Sequence, residues 1–391
     1  MDSLYNWTPL IELIFIGTLL ALLPAGWVLL RNLRKSPIRR YQALMVLTLF
    51  LTFDLILFGA FTRLTDSGLG CPDWPGCYGH ATPLGASNAI EIALTAMPTG
   101  PVTHTKAWVE MVHRYLASGV GALILMLTLF AWRLNFEFRN QEIPSFAISS
   151  WLSTLTLFWV CVQGAFGAWT VTMKLFPIIV TAHLVGGLVL LSLLSLQFFL
   201  NNQKYFSIQR VVFSRRLRAL AWVGLLVLSI QVLSGGWVST NYAVLACSDF
   251  PKCQNSWWPS MNFSQGFEVW RELGMTSQEN PIDFAALTAI HMTHRLLSIL
   301  VFICLGLFAW FLNSKNLLRS QSRWLILLLT LQFMTGLSNV LLDWPLFSAV
   351  MHTGGAAALV LVLTWTLVAS RTTGAGLDDS IDNLTGFNNH K

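Results

Sequence analysis

Nine apolar runs of about twenty residues leave this chain one broad architecture. They lie near residues 9–30, 41–63, 107–131, 148–170, 177–200, 219–241, 284–312, 323–342 and 347–370. Each is long enough to cross the ~30 Å hydrocarbon layer as a helix. Inside that layer every backbone N–H and C=O needs an internal partner, which a helix supplies along its own length. The composition agrees: 54% of residues are apolar and 11% charged, where a soluble domain carries roughly a quarter charged residues. The expected fold class is an all-α polytopic membrane protein.

The runs are not independent. Gly59, Cys71 and Cys77 match Gly235, Cys247 and Cys253 at an offset of 176. Glu110–Arg114 matches His291–Arg295 at an offset of 181, and Gln163–Gly167 matches Gln332–Gly336 at 169. Spans two to five and six to nine therefore read as copies of one four-helix unit running in the same direction, related by an axis along the membrane normal. The expected organisation is an extra N-terminal helix with a basic loop (1–40), a first four-helix bundle (41–205), a second (206–371) and a disordered tail (372–391). The first run is read as a retained helix, because no Lys or Arg precedes it and no small-residue cleavage site follows it.

Charge gives the orientation. Segments 31–40, 132–147, 201–218 and 313–323 and the tail from Arg371 hold 17 of the 24 Lys and Arg. The positive-inside rule makes that side cytoplasmic, with the N-terminus outside and the C-terminus inside. The net charge of +6 reflects these anchors and does not call for nucleic acid.

Each half carries two histidines in matching contexts. His113-Arg114 answers to His294-Arg295, and His183-Leu-Val-Gly-Gly to His352-Thr-Gly-Gly. All four are expected a few turns below the outer surface, on the second and fourth helices of each unit. Two facing helices with neutral imidazoles are what the axial positions of a b-type haem iron require. A lone membrane histidine is more often a packing group; a repeated pair reads as functional, because polar side chains in lipid are costly. Gly186-Gly187 and Gly354-Gly355 either admit a flat macrocycle or serve helix packing. Arg114 and Arg295 are candidate contacts for haem propionates, the alternative being snorkelling to the surface or pairing with a loop acid.

Glu110 stands three residues before His113 and shares its helix face, whereas the second half has His291 there. A carboxyl beside a haem can take and give protons, so the halves are expected to differ in task. Asp54 is a weaker candidate. The C-x5-C pairs Cys71–Cys77 and Cys247–Cys253 fall in outer loops, where an oxidising milieu favours disulfides, either as staples or, for the first pair, as a redox relay. Cys161 and Cys304 read as inert packing.

From about residue 41 to 370 the chain resembles the haem A synthase family, through Gly59–Gly70 (Gly-Ala-Phe-Thr-Arg-Leu-Thr-Asp-Ser-Gly-Leu-Gly), Glu110-x-x-His113-Arg114 and His183, His294 and His352. The resemblance implies oxidation of the C8 methyl of haem O to a formyl group, with haem B as cofactor. It assigns haem O to His113 and His183, haem B to His294 and His352, and the oxidation to Glu110. It further implies a bacterial inner membrane of the cysteine-bearing type and an electron acceptor the residues do not name. The implied partners are haem O synthase, terminal oxidase assembly factors and membrane lipid, and a homo-oligomer is compatible. The extra first helix departs from the family pattern. Two other classes use the same histidines: a di-haem cytochrome b relaying electrons from quinol, and a haem chaperone or transporter.

Overall fold

In a computed structural model, residues 7–140, 149–206, 208 and 210–372 are described. The described chain is mostly helical, and all nine apolar runs are helices long and apolar enough to cross a membrane. They are α1 (Thr8–Arg31), α2 (Pro37–Leu64), α4 (His104–Asn140), α5 (Ser150–Thr172), α6 (Pro177–Phe206), α7 (Arg215–Thr240), α9 (Phe284–Ser314), α10 (Arg319–Leu341) and α11 (Leu346–Val368). Two short helices, α3 (Ser87–Ala96) and α8 (Phe263–Gly266), lie in the two long loops. This is a multi-pass membrane protein. The expected tail begins in strand β2 (Ser370–Thr372), which pairs in parallel with β1 (Val211–Phe213), and residues 373–391 lie outside the described residues.

Local sequence sets the helix ends. Ser36, Ser149 and Ser214 each accept a hydrogen bond from the N–H three residues on, at the starts of α2, α5 and α7, which satisfies one of the orphan donors there. Pro37 and Pro177 occupy first-turn positions, where a missing N–H costs nothing.

Helices α2, α4, α5 and α6 touch in a ring, as do α7, α9, α10 and α11. The rings meet through α2, α6, α7 and α11, around Leu188, Leu191 and Ala357. Each ring is solid at one end. Tyr41, Leu44, Met45, Leu123, Ile124 and Leu127 fill the first, and Leu217, Leu228, Leu305, Phe308 and Leu312 the second. Those residues lie toward the basic loops. The opposite end, where the cysteine loops attach, is where the bundles open.

The seam between halves follows the repeat. Arg63 donates to the Ser239 carbonyl at 2.6 Å and to the Tyr242 hydroxyl at 2.9 Å, while Tyr242 donates to Asp66. Ser239 and Tyr242 are the counterparts of Arg63 and Asp66 at the 176 offset.

Helix α1 packs on α4 and α2, outside the first ring. A Cβ on Gly17 would stand 2.5 Å from Cβ of Ser118, so only glycine allows that approach.

Candidate functional site: paired histidines in one cavity

All four histidines border one cavity of about 1640 Å³ that runs through both halves at the open end. They sit six to ten residues inside the starts of their helices; at ~1.5 Å per residue this is the depth the sequence led us to expect. Among the described residues no three or more His, Cys, Asp or Glu gather into a metal cluster. Pairs of imidazoles are what remain.

A first-row metal bonds an imidazole nitrogen at about 2 Å, so two rings on opposite sides of one iron have centres roughly 6.5 Å apart. The His294 and His352 ring centres are 6.5 Å apart, with ring planes at 72°. That separation is the one His294 and His352 would need to hold one haem iron between them.

Each ring is backed by a glycine of the neighbouring helix. A Cβ at Gly59, Gly167, Gly235 or Gly336 would stand 3.1, 3.4, 3.0 or 3.2 Å from Cε1 of His113, His183, His294 or His352. Any larger residue would press the imidazole into the cavity. These four glycines, not the Gly-Gly pairs, frame the ligands. Gly186 and Gly355 instead leave room for the Gln163 and Gln332 side chains, and Gly354 for Leu57, which settles three of those four positions as packing.

Around Glu110 the first half is tightly tied. Its Oε2 accepts the Cys71 N–H at 2.8 Å, and its Oε1 accepts from Arg114. Arg114 also donates to the carbonyls of Asp73, Pro75 and Gly76. In the second half Arg295 donates to His291 Nε2 at 3.3 Å and to the Lys252 and Cys247 carbonyls at 2.9 Å. Both arginines thus clamp cysteine loops. Propionate contact, read from the sequence as their candidate task, competes with these bonds. Asp54 does not border the cavity, and Cys161 is exposed along it instead of packed away.

Both disulfides, Cys71–Cys77 and Cys247–Cys253, are formed. Each closes a small loop that folds on an aspartate. Asp73 accepts the N–H groups of Tyr78 and Gly79, and Asp249 those of Gln254 and Asn255. The N–H bonds from Asn255 and Gln254 hold the Asp249 carboxyl below its ordinary value.

The profile of the COX15-CtaA family, cytochrome oxidase assembly proteins, matches residues 42–364. The chain belongs to that family. It is 40% identical over 326 residues to a haem A synthase of Shewanella oneidensis, covering 82% of this chain and 93% of that one. A haem A synthase of Halalkalibacterium halodurans is 25% identical over 325 residues, covering 80% of this chain and 90% of its own. Helix α1 lies outside the matched residues, yet Leu13, Ile14 and Thr18 line the cavity beside the first half. The extra helix therefore has a place in the site's wall.

Sequence reading missed the residues behind the rings. Gln332 Nε2 donates to the His352 carbonyl at 2.8 Å and Gln231 Nε2 to the His294 carbonyl at 3.2 Å. Ser234 and Thr335 lie within hydrogen-bond distance of the His294 and His352 Nδ1 atoms. The signal was present in the repeat: at the same offsets the first half has Leu55, Phe58 and Phe166 where the second has Gln231, Ser234 and Thr335.

Proposed function

We propose that this protein is a haem A synthase, oxidising the C8 methyl of haem O to a formyl group. What carries the reading is the 40% identity to a relative of that name across 93% of its length. It is supported by one cavity that reaches both histidine pairs. The first bundle, 41–205, takes haem O as substrate between His113 and His183. The second, 206–371, keeps haem B between His294 and His352, and haem B when bound supplies one-electron redox chemistry.

The chain's own contribution centres on Glu110. Converting a methyl to a formyl group takes up one oxygen atom, supplied by water, and releases electrons and protons; the electrons pass to an acceptor outside the chain. Glu110 borders the cavity on the face of His113 and is held at its outer end by the Cys71 N–H. A carboxylate so held accepts a proton from the substrate side and passes it toward the outer loop. Arg114 fixes its orientation. His291, at the matching place, accepts from Arg295 and orients the second cysteine loop.

The protein is placed in a bacterial inner membrane with its N-terminus outside and its basic loops cytoplasmic. Haem O synthase supplies the substrate and terminal oxidase assembly factors receive the product. The test is pigment extraction from membranes of cells that co-express this chain with a haem O source. Haem A must appear; haem B alone marks an electron relay, and unchanged haem O marks a carrier.

A further inference from the structure

The halves present histidines to one cavity, but the atoms behind the rings differ. Ser234 Oγ lies 2.8 Å from His294 Nδ1, and its own proton goes to the Gln231 carbonyl at 2.8 Å. Thr335 Oγ1 lies 2.9 Å from His352 Nδ1, and its proton goes to the Leu331 carbonyl at 2.8 Å. A hydroxyl whose proton is committed to a carbonyl can only accept from the ring. Gln231 Nε2 lies beside the same ring, 3.2 Å from His294 Nδ1 and 3.3 Å from its Nε2, and directs one hydrogen to the His294 carbonyl at 3.2 Å. The accepting hydroxyls favour the hydrogen on Nδ1 of both imidazoles, which leaves Nε2 unprotonated as the atom that can ligate a metal, with the Gln231 amide beside it at His294.

The first half lacks this. Phe58 and Phe166 stand at the positions of Ser234 and Thr335 and cannot accept a hydrogen bond. Phe58 lies parallel to the His113 ring, with centres 6.2 Å apart. Among the described residues, Nδ1 of His113 and of His183 is buried with no hydrogen-bond partner.

We infer that Ser234 and Thr335 make the second half a permanent haem site, while Phe58 and Phe166 leave the first half able to exchange its haem. The inference rests on the proposed synthase reading, in which one haem is retained and the other enters and leaves at each turnover. An Nδ1–H···O bond pushes electron density toward Nε2, orients the ring and fixes the tautomer. Such partners typically contribute ~10–100-fold in metal affinity. Two in one half and none in the other give the halves different residence times from one repeated scaffold. The same electron donation favours ferric over ferrous iron, so it lowers the midpoint potential of the retained haem.

The test uses the purified, haem-loaded full chain, with excess apomyoglobin as haem acceptor and a potentiometric titration alongside. Joint Ser234→Ala and Thr335→Val substitution is expected to speed haem B transfer by ~10–100-fold or more and to raise the midpoint potential. Ser234→Thr and Thr335→Ser keep the hydroxyls and should restore both values. Unchanged transfer and potential in the joint variant overturn the inference. Should that variant fail to assemble, joint Phe58→Ser and Phe166→Thr carries the test in the other half. Slower haem O transfer supports the inference and unchanged transfer overturns it. Failure of the synthase reading shows separately, as wild-type membranes that make no haem A from haem O.

Discussion

The first and second halves share a ring of four helices, two histidines, four ring-backing glycines in all and a cysteine loop folded on an aspartate. They differ in what touches those parts. In the first, Glu110 and Arg114 form a buried ion pair beside the cavity, Phe58 lies parallel to the His113 ring, and Phe166 takes the sequence position that Thr335 has in the second. In the second, His291 takes the place of the carboxylate and accepts from Arg295, and hydroxyls and amides hold His294 and His352. Repetition fixes where the paired histidines stand. Their immediate partners set what each pair does.

The largest test of this contrast is ligand removal. His294→Ala or His352→Ala should abolish stable haem B binding in the purified protein, measured as pyridine haemochrome, while His113→Ala should leave it largely in place. Full haem B content in both second-half variants would reverse or remove the assignment. Next comes the carboxyl. Glu110→Gln keeps shape but cannot cycle a proton, and loss of a general acid–base group costs ~10²–10⁴-fold in rate. Haem A formation should fall by that order with haem B retained, and His291→Gln should fall far less. Equal haem A yield from Glu110→Gln and wild type would show that the carboxyl is not used.

A smaller effect separates the two arginines. Arg114→Met leaves Glu110 as an unpaired buried charge, a loss of ~3–5 kcal/mol. Arg295→Met removes three hydrogen bonds to neutral groups, and Arg114→Met removes three to carbonyls besides the ion pair, so the ion pair is the difference between them. Thermal unfolding in detergent should rank Arg114→Met as the more damaging; the opposite ranking would deny the ion pair its structural role. The least effect concerns Asp249. Its folded value is depressed, so its contribution is present above the ordinary carboxylate value of about 4 and lost as pH falls through the folded value. Amide exchange at Gln254 and Asn255 should quicken only in that acidic window. Exchange independent of pH after correction for its intrinsic rate would show that the carboxylate does not hold the loop.

Much of this was legible before the fold. The nine spans, the repeat, the histidine pairs and both disulfides follow from hydropathy, offsets and spacing. The misreadings were of contact. The Gly-Gly pairs drew attention because they follow histidines in sequence, whereas the glycines behind the rings come from a different helix each time. Arg114 and Arg295 carried two readings from sequence, a propionate contact or a surface or loop partner, and both reach loop carbonyls. Spacing along a helix reports which face a residue shares, not which neighbour waits opposite it.

The sequence by itself determined that the chain crosses a membrane as helices and repeats a two-histidine unit. Hydrocarbon permits few backbone solutions, and the period of apolar residues states which one is used. Only the tertiary structure decided that both histidine pairs open into one cavity and that α1 helps to wall it. It also decided that a hydroxyl stands behind each ligand of one half and behind neither ligand of the other. Those facts depend on side chains more than sixteen residues apart meeting within 3 Å, a closeness fixed by helix packing and not by local sequence.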